Sequence, residues 1–212
     1  MEYREHLSKD KKLKKLVETA ELHQLKKRKN ICTYLCASIM GQQLSVKVAD
    51  VIYERFTALY GGKEPTPQQI LDSPFEALRG IGLSNAKVGY VKNVAQFEID
   101  FGMDAKKLGK MTNEEVIEYL VVIKGVGRWT VEMLLMFALG REDVFAVDDL
   151  GVQNAMAALY KLDKTDKKKL KEDMLRLSKK WSPYRTYACV HLWRWKDNAP
   201  IVKEKRPKEK IK

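Results

Sequence analysis

The turn Lys124–Gly127, with the sequence KGVG, constrains the fold of this chain more than any other stretch. Helical patterns lie on both sides of it. The first opens with a capping-box pair, Thr112 and Glu115, and the second carries apolar residues on one face from Val131 onward. Glycine adopts backbone angles that a side chain hinders, so the turn predicts two helices joined by a tight connection. Because the first amides of a helix have no partner within it, we expect this turn to bind an anion, and a phosphate is the obvious one.

The rest of the chain also follows helical periods. Such patterns cover 1–30 and 31–60 and return after Asp149, and no segment shows a convincing β-strand alternation. The sequence therefore predicts an all-α fold, and its 212 residues are enough for one sizeable core or for two small lobes. Gln42 and Gln43 interrupt the second pattern, either as an ordinary surface turn or as a loop tip that presents polar side chains.

The charge of the chain is concentrated at its ends. The net charge is +12, of which residues 1–30 contribute +5 and residues 201–212 contribute +4, so the body carries only +3. Basic ends often serve solubility, and charge alone is therefore a weak indication of nucleic-acid binding. The glycine turn is the stronger indication. We interpret the lysine-rich helical stretches as solvated faces.

Cysteine usage and hydropathy indicate an intracellular protein. Cys32, Cys36 and Cys189 are too few and too scattered for a disulfide framework, and we interpret Cys32 and Cys36 as core residues. The N-terminus is polar and charged, unlike a secretory signal. No apolar run reaches the length of about 18 residues that would indicate a membrane span.

An acidic pair, Asp148 and Asp149, precedes the next helical pattern. Either carboxylate could cap that helix, and either could act on a substrate, since a helix N-terminus stabilises a negative charge. Two adjacent acids allow these roles to separate. We assign the cap to Asp148 and the functional carboxylate to Asp149.

Five short blocks carry a resemblance to a known family: Ile39–Ser45 (IMGQQLS), Leu78–Gly82 (LRGIG), Gly125–Thr130 (GVGRWT), Asp148–Gly151 (DDLG) and Pro183–Ala188 (PYRTYA). In this order they resemble the helix-hairpin-helix (HhH-GPD) DNA glycosylases. Within that superfamily the chain is most similar to the 3-methyladenine DNA glycosylase II branch. The resemblance covers roughly residues 5–197.

The resemblance implies a two-lobed helix-hairpin-helix glycosylase fold with the active-site cleft between the lobes. A single unit over 1–200 is expected, with lobe one at about 31–140 and lobe two at about 1–30 plus 141–200. The remaining residues, 201–212, are expected to form a basic, disordered tail. The block Leu78–Gly82 is either a weak second hairpin or an ordinary glycine-closed helix turn.

Two departures from parts of the family limit the chemistry. Bifunctional members carry a catalytic lysine directly after the GVGR turn, where this chain has Trp129, and an amine is needed to form a Schiff base with the sugar. The resemblance therefore implies a monofunctional glycosylase without lyase activity. Several relatives hold an iron–sulfur cluster through four cysteines near the C-terminus, where this chain has Cys189, so we expect no cluster.

The resemblance also implies roles for individual residues. Asp149 is expected to be the catalytic carboxylate, and Gln43 the wedge that fills the gap left by a flipped base. The expected substrate pocket consists of Trp129, Met133, Trp193 and Tyr187. The expected DNA-binding residues are Gln42, Gln43, Leu44, Lys124, Gly125, Val126, Gly127, Arg128 and Thr130. A structural Na⁺ or K⁺ ion is expected on the backbone carbonyls of Val121, Ile123 and Val126, and no cofactor is expected to be required.

In function, the resemblance implies hydrolysis of the N-glycosidic bond of alkylated purines, of the 3-methyladenine and 7-methylguanine type, in base excision repair. The enzyme would flip the damaged base out of double-stranded DNA and leave an abasic site. We expect a monomer without membrane association. Two alternatives stay open: a monofunctional glycosylase of the same fold for deaminated or oxidised bases, and a non-catalytic DNA-binding protein. The presence of Asp149 argues against the second alternative.

Overall fold

The computed structural model describes residues 2–21 and 23–198, the last two by their backbone alone. Every regular element in these ranges is a helix, which confirms the all-α class: thirteen α-helices and one 3-10 helix. None of the described helices is both long enough and apolar enough to cross a membrane. The expected tail at 201–212 lies outside the described residues.

The helices divide between two compact units. The smaller unit comprises the chain up to Glu21, Val147–Trp181 and the chain from Tyr187, and the larger unit comprises Leu22–Ala146 and Ser182–Thr186. The smaller unit contains α1 Glu2–Leu7, α2 Lys11–Thr19, α11 Leu150–Tyr160, α12 Lys167–Ser178, a 3-10 helix Lys179–Trp181 and most of α13 Arg185–Asn198. The larger unit contains α3 Ile31–Gly41, α4 Val46–Ala58, α5 Pro67–Asp72, α6 Phe75–Gly80, α7 Asn85–Phe101, α8 Ala105–Leu108, α9 Asn113–Leu120 and α10 Arg128–Phe137.

The core of the larger unit is built around α3. This helix is largely apolar, and its side chains Leu35, Ile39 and Met40 are fully buried. Cys32 and Cys36 are buried beside them, as expected. The helix packs against α4, α7 and α10. A helix with apolar residues on all sides belongs in an interior, and each large aliphatic side chain buried there contributes roughly 1.5–3 kcal/mol.

A buried carboxylate, Asp10, joins the elements of the smaller unit. Its Oδ1 caps α2 by accepting a hydrogen bond from the Lys12 amide at 3.0 Å. Its Oδ2 accepts hydrogen bonds from the Tyr160 hydroxyl at 2.6 Å and the Trp181 indole at 3.0 Å, and lies 2.8 Å from Lys180 Nζ. Burial acts to raise the pKa of Asp10, but the hydrogen bonds from Lys180, Tyr160 and Trp181 together outweigh it and lower the pKa from 3.8 to about 2.

The boundaries of the two units differ from the expected lobes. The larger unit begins before residue 31 and continues past residue 140. The Arg28 amide donates to the Ala138 carbonyl at 2.8 Å, which ties the chain before α3 to the end of α10. Asp143 accepts hydrogen bonds from the Arg185 guanidinium at 2.6 and 2.9 Å, so the segment Ser182–Thr186 lies with the larger unit. Pairs so distant in sequence leave no periodic signal from which a boundary could be predicted.

The low pKa of Asp10 predicts a pH-dependent contribution to stability. A carboxyl group whose pKa is lower in the folded protein than in the unfolded chain stabilises the folded state at pH values above its unfolded pKa. This contribution, roughly 2 kcal/mol, is lost as the pH falls from about 4 to about 2. The free energy of unfolding of Asp10→Asn should therefore differ most from that of the wild type at neutral pH, and the difference should shrink towards pH 2. Urea titrations at several pH values measure it.

Asp166→Asn is the matched control, because Asp166 caps α12 at an exposed position, accepting from the Lys169 amide at 3.0 Å. Its free energy of unfolding should follow that of the wild type at every pH, since asparagine is an equally good cap. A difference between the wild type and Asp10→Asn that stays constant across the acid range would contradict the role given to the Asp10 network.

Candidate active site

The Asp149 carboxylate is buried at the start of α11, where it is 9% exposed. Its Oδ1 accepts hydrogen bonds from the Val152 amide and from the Trp193 indole, both at 2.7 Å. Asp149 is thus the N-cap of α11, and a side chain of α13 orients the same oxygen. Two donors fix the direction of the carboxylate, which is what a group that stabilises developing positive charge requires.

The two acids of the pair divide their roles differently from our expectation. Asp148, expected to cap α11, lies exposed and pairs with Lys171, whose Nζ is 2.8 Å from Oδ1. Asp149 is the cap because its own side chain reaches the amide three residues further on. The expected functional carboxylate and the helix cap are therefore one residue.

A glycine makes room for this arrangement. A Cβ at Gly151 would lie 2.9 Å from Cδ1 of Trp193, 3.0 Å from its Nε1 and 3.1 Å from Asp149 Oδ1. Any larger residue at this position would push the indole away from the carboxylate. Gly151 has no role among the sequence-based predictions. A signal was present, because a glycine inside a helix costs about 0.5–1 kcal/mol relative to alanine and needs a reason.

The four expected pocket residues lie on two helices. Trp193 and Tyr187 belong to α13 in the smaller unit. Tyr187 is 7% exposed and stacks on Tyr3, with ring centroids 4.0 Å apart and an interplanar angle of 2°, so one face of its ring is covered. Trp129 and Met133 lie one turn apart on α10 of the larger unit, where Trp129 is 42% exposed and Met133 is 8% exposed.

The hairpin of the larger unit has the predicted form. In the capping box of α9, the Thr112 hydroxyl accepts from the Glu115 amide at 3.2 Å, and the Glu115 carboxylate accepts from the Thr112 amide at 2.6 Å. Gly125 has a φ of +105°, and a Cβ there would overlap the ring of Tyr90. Gly127 is the N-cap of α10 and provides no side-chain cap. Among the described residues, nothing beyond its chain neighbours comes within 4 Å of where its Cβ would be. The first amides of α10 thus begin at an open position.

The block Leu78–Gly82 also forms a helix–turn–helix. Helix α6 ends at Gly80, Gly82 has a φ of +110°, and α7 follows with Ser84 as its N-cap. The Ser84 hydroxyl accepts from the Lys87 amide at 3.3 Å. Because this hydroxyl already uses an amide of α7, the second turn is less suited to an anion than the turn before α10.

One face of α7 supports the hairpin and the loop Met40–Leu44, which we call the glutamine loop. Lys87 Nζ donates to two carbonyls of the glutamine loop at 2.8 and 2.9 Å, and burial lowers its pKa. The ring of Tyr90 packs on the hairpin glycine, and Asn93 Nδ2 donates to the Lys124 carbonyl at 3.2 Å. These three side chains follow one another at helical spacing. They are not predictable from the sequence, because each acts on a partner far along the chain.

The glutamine loop is joined to the hairpin through Gln42. Its Nε2 lies 3.4 Å from the Gly125 carbonyl and 3.4 Å from Thr130 Oγ1, and it donates to both. Gln43 has a φ of +61°, a left-handed conformation that is uncommon for a residue with a side chain and is kept where the surroundings hold it. Gln43 is exposed, and Leu44 is 38% exposed. The loop thus presents Gln43 and Leu44 at its surface and uses Gln42 internally.

Two of the expected DNA-binding side chains are engaged within the larger unit. Arg128 donates to the two carboxylate oxygens of Glu114 at 2.7 and 2.8 Å and lies 3.3 Å from Glu132. The hydrogen bonds between Arg128 and Glu114 raise the pKa of the arginine and lower the pKa of the glutamate. Thr130 is 2% exposed and accepts its hydrogen bond from the glutamine loop. Both side chains therefore fix the start of α10.

The carbonyls expected to hold a monovalent cation follow the end of α9. The Ile123 carbonyl accepts from the Val126 amide at 2.9 Å, and a carbonyl oxygen keeps a second lone pair for another contact. The Lys124 carbonyl, which is not in the expected set, is used by α7. Backbone carbonyl oxygens suit Na⁺ and K⁺, so the donor chemistry of Val121, Ile123 and Val126 fits such an ion.

The two hairpin glycines should respond differently to alanine. Gly125→Ala places a Cβ at a left-handed φ and against Tyr90, and should lower the free energy of unfolding by roughly 2–4 kcal/mol. Gly127 has a φ of −98° and open space around it. Because alanine is a poorer N-cap than glycine, Gly127→Ala should lower the free energy of unfolding by at most about 1 kcal/mol. Urea denaturation of the two variants measures this; equal losses would contradict the geometry of the turn.

Gly151→Ala should displace the Trp193 indole and break its hydrogen bond to Asp149. The indole ¹H–¹⁵N resonance of Trp193 reports on this bond and is expected to move in the variant. Gly89→Ala is the matched control, since Gly89 also lies inside a helix but has nothing within 4 Å of its Cβ position. That control should stabilise the protein by about 1 kcal/mol and leave the indole resonance in place. An unmoved resonance in Gly151→Ala would show that the glycine is not required.

Comparison with known proteins places these features in a family. Residues 36–182 match the profile of the HhH-GPD superfamily base excision DNA repair proteins. DNA-3-methyladenine glycosylase 1 of Schizosaccharomyces pombe is 37% identical over 201 residues, which cover 94% of this chain and 87% of that protein. The DNA-3-methyladenine glycosylase of Saccharomyces cerevisiae is 33% identical, over 76% of this chain and 64% of that protein.

Solved structures agree with the sequence comparison. The 3-methyladenine DNA glycosylase of S. pombe, in complex with abasic DNA, has a TM-score of 0.82 at 36% identity, covering 94% of this chain and 98% of that chain. The DNA-3-methyladenine glycosidase from Bacillus halodurans has a TM-score of 0.78 at 38% identity, covering 91% of this chain and 88% of that chain. The chain therefore belongs to the HhH-GPD superfamily of base excision DNA repair proteins.

Proposed function

We propose that this protein is a monofunctional DNA glycosylase that hydrolyses the N-glycosidic bond of alkylated purines and leaves an abasic site. The observation that carries the proposal is the buried Asp149 carboxylate, held by the Val152 amide and the Trp193 indole. The relatives named above as 3-methyladenine glycosylases support the choice of substrate class. The S. pombe structure with abasic DNA supports DNA as the partner.

Asp149 is the proposed catalytic residue. As the bond between base and sugar breaks, positive charge develops on the sugar, and a nearby carboxylate stabilises that charge. The electron pair of the bond leaves with the base, and water adds to the sugar carbon with loss of a proton, which a carboxylate can help to remove. A 3-methyladenine or 7-methylguanine base is already cationic and leaves as a neutral purine, so a strong general acid is not needed.

The uncapped amides at the start of α10 are proposed to bind a backbone phosphate of the DNA. Gly127 leaves these amides without a side-chain cap, and Lys124 adds an exposed positive charge. The Arg128 and Thr130 side chains act indirectly in this proposal, by fixing the helix start, while their backbone amides remain candidates for contact. A Na⁺ or K⁺ ion on the carbonyls of Val121, Ile123 and Val126 would add positive charge beside that phosphate.

The glutamine loop is proposed to enter the DNA. A flipped base leaves a gap in the stack, and flipping costs a few kcal/mol that an inserted side chain helps to offset. Gln43 is exposed in a fixed left-handed turn and can hydrogen-bond the base left without its partner. Leu44 beside it offers an apolar contact. The lysine of α7 that holds the loop carbonyls keeps this shape before DNA arrives.

Aromatic side chains are proposed to receive the flipped base. A cationic purine is attracted to an aromatic face by about 2 kcal/mol when desolvated. Trp129 is the exposed aromatic on α10, with Met133 one turn on. On α13, Trp193 directs its N–H to Asp149, and Tyr187 has one ring face covered by Tyr3. Because Trp129 stands where a lyase carries its lysine, no Schiff base with the sugar is expected. The proposed enzyme works as an intracellular monomer.

A panel of duplexes tests the proposal. The protein should release 3-methyladenine and 7-methylguanine from methylated DNA, and release little or no base from duplexes containing uracil, hypoxanthine or 8-oxoguanine, measured by chromatography of freed bases. Strands should break only after heat or alkali, and borohydride should trap no covalent complex. Release of a deaminated or oxidised base instead would favour the alternative substrate class. Binding without any release would favour a non-catalytic DNA-binding protein.

A further inference from the structure

Two lysine-rich segments that the proposed site does not use come together in the smaller unit. One is the start of α2 and the residues before it, and the other is the end of α12 with the 3-10 helix that follows. Between them lies a cavity of about 490 Å³. Its basic lining residues are Lys9, Lys11, Lys12, Arg176 and Lys180. We call it the basic cavity. The sequence pattern predicts solvated faces for such lysines, but a concave arrangement focuses their electrostatic field.

The acid in the lining of the basic cavity is saturated by internal contacts. Asp10 gives one oxygen to the start of α2 and the other to Tyr160, Trp181 and Lys180. Its carboxylate is therefore fully used in holding the walls of the cavity together, and Lys180 is the lining residue whose positive charge it compensates. The Asp10 network thus builds the cavity and neutralises one of its five cations, Lys180, so most of the positive charge of the lining remains.

The remaining cations of the lining are Arg176 of α12 and three lysines around the N-terminal turn of α2. Arg176 pairs with Asp173 at 2.6 Å. Lys12 Nζ lies 5.0 Å from the centroid of the Tyr160 ring. Among the ion pairs between described residues, none involves Lys9, Lys11 or Lys12. Three ammonium groups therefore border one cavity without a carboxylate partner, an arrangement that favours an anionic ligand.

The type of cation indicates the type of anion. Carboxylates of a peptide are best recognised by the planar fork of an arginine, and the guanidinium in this lining is already engaged by Asp173. Ammonium groups are compact point charges that bind phosphate oxygens without a fixed geometry. We propose that the basic cavity is a second phosphate-binding site, separate from the hairpin, that takes backbone phosphates of a DNA strand. This inference rests on the proposed function, which makes DNA the polyanion that the protein meets.

Salt dependence tests the inference. Each phosphate contact adds about 0.9 to the slope of log K against log salt concentration. Lys9→Gln/Lys11→Gln removes two cavity charges and leaves the Asp10 network and the Lys12–Tyr160 contact in place. For an undamaged duplex, the magnitude of the salt slope of this variant should be smaller than that of the wild type by up to about 1.8. Between about 50 and about 200 mM salt, the affinity of the variant for DNA should therefore fall roughly tenfold less than the affinity of the wild type. Fluorescence anisotropy measures both proteins.

The matched control removes the same number of positive charges from the same part of the chain. Lys14→Gln/Lys15→Gln changes two lysines of α2 that do not line the cavity. It loses one exposed pair, Lys14 with Glu18, which contributes little to stability. Its salt slope should equal that of the wild type. An unchanged slope in the cavity variant, or an equal decrease in both variants, would overturn the inference, the second because it indicates a diffuse positive surface.

Two further measurements separate the outcomes. Inorganic triphosphate should raise the thermal midpoint of the wild type by more than it raises the midpoint of Lys9→Gln/Lys11→Gln. Such a difference would show that the two lysines belong to a phosphate site, and the unfolding transition of the variant shows that it is folded. If triphosphate acts in this way but the salt slope for DNA is the same in the wild type and the cavity variant, DNA is not the occupant. The same conclusion follows if an acidic peptide, and not DNA, competes with triphosphate for the cavity. Base release from methylated duplex is measured alongside. If base is released but the salt slopes of the wild type and the cavity variant are equal, the cavity site is wrong and the proposed function stands. If the wild type neither binds DNA nor releases base, the proposed function itself is wrong.

Discussion

The hydrogen bond from the Trp193 indole to Asp149 is the interaction on which the proposed chemistry depends. It fixes the same oxygen that caps α11, so the position of the carboxylate is set by the backbone of one helix and the side chain of another. The space for the indole exists only because residue 151 is glycine. A group that must stabilise charge on a sugar gains from being held before the substrate arrives, since no reorganisation is then needed during the reaction.

In the larger unit, internal contacts likewise fix the groups that are proposed to bind DNA. Gly125 closes onto Tyr90, Gln42 links the glutamine loop to the hairpin, and Lys87 holds the carbonyls of that loop. These contacts occupy the inner groups of the two loops. What they leave outward is the start of α10 at Gly127 and the exposed Gln43. The packing of the larger unit thus decides which groups are left for the proposed contacts with DNA.

Local features were predictable from the sequence, and distant pairings were not. The Thr112–Glu115 capping box, the glycine turn and the all-α class follow from residues that lie close together in the chain, and the structure has them all. The cap was assigned to Asp148 because either acid satisfies the local pattern, and only the contacts of Lys171 and Trp193 separate the two. The partners of Arg128 and the supporting face of α7 depend on how helices pack, which periodicity does not encode.

The proposed chemistry depends most directly on the negative charge of Asp149, and Asp149→Asn removes that charge while keeping the shape of the side chain. Asparagine caps a helix as well as aspartate does and still offers an oxygen to the Trp193 indole, so the fold should persist. Single-turnover release of 3-methyladenine from methylated duplex should fall by roughly 10²- to 10⁴-fold, with DNA affinity retained. Asp148→Asn, which loses only the exposed pair with Lys171, should release base at the wild-type rate. If Asp149→Asn releases base as fast as the wild type, Asp149 is a helix cap and not the catalytic carboxylate.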